Sequence, residues 1–241
     1  MIVTKQQLED KTKSIRDEQF NESEISLIPT LETQGLTFGN SGRYFYATIL
    51  YIDIRRSSKL LDCHYYANVA KLLTAFYNAI VRVANQDGGE IRSFNGDSLL
   101  VFYKGTENDT VGKAVQSAMK MSFAINEVVN PIMKSLSNMD FGIGIDYGKV
   151  LVTKVGIGGA SNNKDLIWIG NGVNRATKIS DQCQSPYHIG ISERLYNKLD
   201  YSLRYTKDFF YRPQSMWRSQ TFEYNGGVEK MYQTNYHFII P

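Results

Sequence analysis

The 241-residue chain predicts an α+β fold, an antiparallel-rich sheet with helices packed on one face in a ferredoxin-like arrangement. Three observations carry this. Residues 44–52 are aromatic and β-branched with no turn residue, which reads as a buried central strand, and the run stops at Asp53. Residues 90–94 and 98–103 flank Asn95-Gly96-Asp97, a β-hairpin with a tight turn. Two long segments keep the apolar spacing of amphipathic helices, one through Val69, Leu72, Leu73, Phe76, Ile80 and Val83, the other through Val111, Val115, Ala118, Ile125 and Val129.

Taken in order, residues 4–20 are charged helix formers with a thin apolar stripe of Leu8, Ile15 and Phe20, a surface or partner-packing helix. Residues 21–40 carry Pro29, Gly35 and Gly39 and read as a connector. After Asp53 come a short helix at 56–61 and a long one at 66–84, closed by Asp87-Gly88-Gly89. Asn108-Asp109-Thr110 caps the second long helix, whose methionines Met119, Met121 and Met133 are core filler. Residues 140–155 read as another hairpin turning at Gly148, followed by a polar, mobile, Gly-rich loop at 156–164. A strand at 166–169, a helix at 172–183, a strand at 188–191 and a helix capped by Ser192 complete the body. The Tyr- and Phe-rich last forty residues supply further strands or a dimer-facing arm. The chain therefore divides into an N-terminal arm and connector at 1–40, a catalytic domain at 41–200 and a β-rich extension of it at 201–241.

Composition narrows the function. A formal charge of +3 is too small for a nucleic-acid surface, and no apolar run has the length of a signal peptide or a membrane span. We therefore expect a soluble, cytoplasmic protein with neither nucleic-acid nor membrane partners. Cys63 and Cys183 stand far apart in no metal-like spacing, so neither a disulfide framework nor a zinc knuckle is expected. His64, His188 and His237 lack catalytic company and read as structural. The glycines of residues 142–148 match neither a Walker loop nor a dinucleotide fingerprint.

The chemistry lies in the two acids. A carboxylate closing a buried strand is costly unless something cationic meets it. Asp53 and Asp97 each end an apolar strand, which points to a shared Mg²⁺ or Mn²⁺ site. Taken singly, Asp53 could be a helix cap and Asp97 a turn residue. Ile52-Asp53-Ile54-Arg55-Arg56-Ser57, Asn95-Gly96-Asp97 and Gly172-Val173-Asn174, in that order, resemble the class III nucleotidyl cyclase catalytic domain. The resemblance covers residues 44–192 and implies two divalent cations held by Asp53, Asp97 and the backbone carbonyl of Ile54. One would activate a ribose 3′ oxygen for attack on the α-phosphorus and the other would hold the phosphates and the leaving pyrophosphate. It also implies that Asn174 holds the ribose, that Lys178 stands where the family has an arginine, and that two chains pair head-to-tail to share two sites. Asn174 and Lys178, four apart on a helix, face the same way, and Arg175 faces elsewhere. Lys keeps the charge of Arg but loses its planar fork.

By the same resemblance, purine-reading positions fall at Ser93 and Ile167, which carry neither the adenine-reading nor the guanine-reading residues. Trp168 and the first-strand aromatics Tyr44, Phe45, Tyr46 and Tyr51 narrow that pocket. The chain looks most like the bacterial anti-phage pyrimidine cyclases, which implies UTP as substrate, with CTP as the alternative, and a downstream effector activated by the cyclic nucleotide. A purine cyclase and a non-catalytic nucleotide sensor are further alternatives. A diguanylate cyclase or polymerase palm would need a different hairpin from Asn95-Gly96-Asp97-Ser98.

Overall fold

The structure, a computed structural model, describes residues 3–63, 65–158 and 163–241, with the backbone alone for residues 61–63. His64, the thiol of Cys63 and the middle of the loop at 156–164 lie outside the described residues. The elements run α1 (Lys5–Asp17), β1 (Asn21–Glu24), β2 (Ser41–Ile54), α2 (Ser57–Cys63), α3 (Tyr66–Gln86), β3 (Glu90–Asn95), β4 (Ser98–Lys104) and α4 (Glu107–Phe123). A π-helical turn at Ala124–Val129 leads into α5 (Asn130–Met133), β5 (Phe141–Gly156), β6 (Lys164–Ile169), α6 (Asn171–Asp181) and β7 (Ile189–Ser192). Then follow α7 (Glu193–Lys198), α8 (Tyr201–Arg204), β8 (Tyr205–Lys207), β9 (Pro213–Ser215), β10 (Arg218–Tyr224) and β11 (Gly227–Thr234). The π-turn has a local cause. Pro131 has no N–H to donate, and its ring crowds the carbonyl four residues back, so the helical ladder widens just before it.

Two compact units emerge, Met1–Phe45 with Lys149–Gly170, and Tyr46–Gly148 with Asn171–Pro241. In the smaller unit, Thr4 and Gln7 form a reciprocal capping box at the start of α1, which buries no residue, as expected of a surface helix. β1 pairs in parallel with the start of β2, from Asn21 against Ser41 to Glu24 against Tyr44. The connector expected at 21–40 thus contains a strand. Asn-Glu-Ser-Glu has no apolar alternation to betray it, because all four residues are exposed and the pairing is made by the backbone. β6 lies antiparallel to the end of β5, from Leu151 against Ile169 to Gly156 against Lys164.

The larger unit is built on the strand order β10-β11-β7-β5-β2-β4-β3. β2 and β4 are antiparallel from Ala47 against Lys104 to Asp53 against Ser98, and β5 and β7 are parallel. One face is covered by α3 and α4. Leu72, Phe76 and Ile80 of α3 are fully buried with Ile143, Ile145, Ile189 and Ile191 of the sheet. Each such side chain contributes about 1.5–3 kcal/mol relative to exposure. β10 and β11 extend the sheet beyond β7, and the separate β8–β9 pair carries the exposed Phe209, Phe210 and Tyr211. The α+β class read from the sequence is the class observed.

The hairpin expected at 140–155 is not there. β5 is one unbroken strand of 16 residues, and Gly148 does not turn the chain. Among the described residues, positive φ occurs instead at Gly156, at 101°, where the chain leaves β5. The glycines serve close approach to α6. Successive strand residues face opposite sides, so Gly142 and Gly144 lie opposite to Ile143 and Ile145, on the face where α6 packs. A Cβ on Gly144 would lie 1.9 Å from the Ala176 carbonyl oxygen, and one on Gly148 would touch the Gly172 amide at 3.5 Å.

His188, just before β7, is structural as expected. Its Nδ1 is 2.9 Å from the Phe141 carbonyl, and its ring stacks on Phe141 at 4.1 Å. Burial lowers its pKa from 6.5, with the Phe141 carbonyl and Asp140 acting weakly the other way. The native state therefore holds fewer protons than the unfolded chain, and the contribution is full above ~6.5 and is lost as pH falls through that value. Thermal unfolding followed by circular dichroism is expected to show a midpoint that drops between pH 7.5 and 5.5, with a shallower drop in His188→Gln.

Candidate active site

The strand end and the hairpin turn bring two carboxylates to one edge of the sheet. Register places Asp53 opposite Ser98, beside Asp97, and the Ile54 amide donates to the Asp97 carbonyl at 3.2 Å. Gly96, at φ 63°, makes the turn that sets Asp97 there. The Ser57 hydroxyl at the start of α2 donates to Asp97 Oδ2. Tyr77 of α3 donates to the Gly96 carbonyl at 2.9 Å and so braces the turn from the helix side. Asp53 is pushed up to about 6, first by burial and then by the neighbouring charge of Asp97, against which Arg55 acts.

These residues suit a hard divalent cation. The charge of Asp97 raises the cost of ionising Asp53, and a cation between the two carboxylates removes that cost. The Ile54 side chain is buried, so only its carbonyl oxygen can join the donor set. Among the described residues no group of three His, Cys, Asp or Glu side chains gathers to hold a metal. Such a site therefore needs oxygens from elsewhere, as Mg²⁺-type ions that keep water and substrate phosphates do.

The cation that meets Asp53 in the protein itself is Arg55, whose Nη1 donates to Asp53 Oδ2 at 2.8 Å. The sequence reading required a cationic partner at the strand end without choosing this one. The signal was present: Arg55 follows Asp53 at the strand's own period of two, and a guanidinium is the cation best suited to hold a carboxylate there.

Helix α6 carries the second group. Asn174 and Lys178 line one cavity of about 300 Å³ with Thr177, Glu223, Tyr224 and Asn225, so they share a face as their spacing predicts. Lys178 is 59% exposed, with Asp181 Oδ2 at 3.6 Å. Arg175 points away from this cavity into an ion-pair network, donating to Asp146 at 2.9 Å and to Glu229 at 2.8 Å. Asp146 is fully buried and also accepts from Ser192 at 2.7 Å. Among the described residues, no hydrogen bond or ion pair joins Asn174 or Lys178 to Asp53 or Asp97. The candidate side chains thus fall into two groups, with no direct bond between them among the described residues.

The three base-pocket candidates fall on two strands, Ser93 on β3 and Ile167 and Trp168 on β6. Ser93 adjoins a bulge in β3, and its hydroxyl donates to Asn95 Oδ1 at 3.0 Å. In the smaller unit, Ile167 is 41% exposed on β6, and Trp168 points to the other side of that strand, edge-on to Phe45 at 6.4 Å. Phe45 is fully buried and Tyr44 lies under the Lys149 ammonium at 3.8 Å. In the larger unit, Tyr46 stacks on Tyr147 at 6.5 Å. Each of these aromatics has a protein neighbour, and Tyr46 remains 45% exposed.

A sequence model of the adenylate and guanylate cyclase catalytic domain matches residues 40–232. The chain belongs to this family of nucleotide cyclases. Uridylate cyclase from Burkholderia cepacia is 26% identical over 186 residues, 76% of this chain and 78% of that protein. Uridylate cyclase from Xanthomonas perforans is 26% identical over 87% of each chain. Among solved structures, guanylyl cyclase Cya2 superposes with a TM-score of 0.65 at 22% identity, covering 82% of this chain and 95% of that one. Adenylyl cyclase CyaB from P. aeruginosa gives 0.64 at 20% identity, covering 80% and 95%. These likenesses confirm the cyclase fold expected from the motifs. For the cyclase carboxylates, Asp53→Ala and Asp97→Ala are each expected to lower turnover at least about a thousandfold. The oligomeric state measured by light scattering should be the same in both variants as in the parent chain, and activity retained in either would remove that acid from the site.

Proposed function

We propose that the protein is a uridylate cyclase. The ribose 3′ oxygen of UTP attacks the α-phosphorus, a new P–O bond closes the 3′,5′ ring, and pyrophosphate leaves with the electrons of the broken P–O bond. The 3′ proton passes to solvent. Asp53, Asp97 and the Ile54 carbonyl would hold two divalent cations, Mn²⁺ or Mg²⁺, which supply hydroxyl activation and neutralise phosphate charge. Asn174 orients the ribose, and Lys178 brings positive charge to the transferring phosphoryl group, as a point charge where the family has a planar fork. The family resemblance supports a head-to-tail homodimer, each site taking the acids from one protomer and Asn174 and Lys178 from the other; that no hydrogen bond or ion pair joins the two groups among the described residues agrees with it. A monomer would carry two incomplete halves.

One observation carries the base assignment: uridylate cyclases match this chain over 76% and 87% of its length, while the positions of purine readers hold Ser93 and Ile167. A short hydroxyl and an aliphatic side chain cannot supply the charged contacts a purine-reading site uses. The resemblance to pyrimidine cyclases of anti-phage signalling supports a role as second-messenger synthase in bacterial defence. The product would act in the cytoplasm on a cyclic-nucleotide-activated effector. Among the described residues, no helix is long and apolar enough to cross a membrane. In domain terms, residues 41–200 form the catalytic part, 1–40 an arm and connector, and 201–241 its β-rich extension.

Incubation with each of the four nucleoside triphosphates and Mn²⁺, followed by mass analysis, is expected to give cUMP as the main product. Dominant cCMP would move the assignment to cytidine, dominant cAMP or cGMP would end the pyrimidine reading, and absence of pyrophosphate release would leave a nucleotide sensor. In the same assay Lys178→Ala should lower kcat about a hundredfold, with a smaller change in KM, because its charge acts on the transferring group.

A further inference from the structure

Arg55 does more than neutralise Asp53. Its side chain is 14% exposed, and its guanidinium is spread over two elements. Nη1 donates to Asp53 Oδ2 at 2.8 Å, while Nε donates to the Cys183 carbonyl at 2.9 Å and Nη2 reaches both the Ser180 carbonyl and, at 2.9 Å, the Ser180 hydroxyl. Ser180 and Cys183 bracket the C-terminus of α6, where backbone carbonyls lack helical partners and favour a cation. Ser180 is fully buried and passes its own hydrogen to the Gly142 carbonyl at 2.9 Å. The backbone is fixed as well, since the Arg55 amide donates to the Asp140 carbonyl at 2.8 Å.

The sheet is shaped for this guanidinium. A Cβ on Gly142 would sit 2.2 Å from Arg55 Nη2 and 2.5 Å from the Cys183 carbonyl oxygen. The side chain therefore runs through a gap that any larger residue would close. A guanidinium is required, because four acceptors are served from one head group, more than the three N–H groups of a lysine ammonium can reach.

We propose that Arg55 is a positioning residue, clamping the Asp53 carboxylate to the C-terminus of α6 so that its remaining oxygen stays aimed for a divalent cation. The proposal rests on the reading of Asp53 as a metal ligand and assigns the group that orients it. Its sign separates it from simple counter-charge. A guanidinium that only competed for Asp53 would weaken cation binding, and its removal would tighten it. A clamp does the opposite: without it the carboxylate loses its fixed rotamer, and binding weakens.

The test is direct Mn²⁺ binding to the full-length protein, measured from the electron paramagnetic resonance signal of the free ion, beside kcat and KM. Arg55→Gln is expected to raise the Mn²⁺ dissociation constant about tenfold and to lower kcat by a similar factor. Ser180→Ala leaves Asp53 and Arg55 in place and removes one anchor of the clamp, so it should shift Mn²⁺ affinity in the same direction by about threefold. It also serves if Arg55→Gln does not fold. Unchanged or tighter Mn²⁺ binding in the folded variants overturns the clamp. Asp53→Ala is the reference: if it too binds Mn²⁺ as the parent does, the ligand reading of Asp53 has failed, and the clamp falls with it.

Discussion

The structure depends on how two like charges are kept together at the edge of an apolar sheet. Asp53 ends a strand whose inner residues are fully buried, and the hairpin turn sets Asp97 beside it. Repulsion and burial together push Asp53 well above the ordinary carboxylate range. In the proposed site, cations arriving with the substrate phosphates would complete the neutralisation. Arg55, 2.8 Å from Asp53 Oδ2, supplies the resident counter-charge.

The sheet's other demand is a close floor for α6. Gly142, Gly144 and Gly190 leave the strands bare where the helix crosses, and Asp146, the next residue on that side of β5, receives Arg175. Helix and sheet are thereby joined at both ends of α6, by Arg175 near its start and by Arg55 at its finish. Asn174 adjoins the first anchor and Lys178 stands between the two, so the cavity they line is presented by a helix tied to the sheet at both ends.

The division of labour in the proposed dimer follows from this layout. One protomer offers acids at the ends of β2 and the β3–β4 hairpin, and its own α6 presents Asn174 and Lys178 to a different cavity. Lys178 is 59% exposed with Asp181 at 3.6 Å, and in the proposed site its ammonium would meet the transferring phosphoryl group. Specificity for the base is less concentrated. In the proposed reading Ser93 and Ile167 stand where purine readers would carry charged side chains, and the aromatics expected to narrow the pocket each have protein neighbours.

The sequence by itself determined the class of fold, the central strand, the hairpin, the long helices and the two acids, because period-2 and period-3.6 patterns and turn chemistry are local properties. It also determined that Asn174 and Lys178 share a face while Arg175 turns away. Only the tertiary structure decided that β5 is one strand and not a hairpin, since a glycine needed for a turn and a glycine needed for close helix approach look alike in the chain. β1 was equally hidden, because an exposed strand held by backbone hydrogen bonds leaves no mark on its side chains. The clamp at Arg55 belongs to the same category: its acceptors are carbonyls at the end of a helix more than a hundred residues away, and a backbone carbonyl is the same group whatever residue carries it.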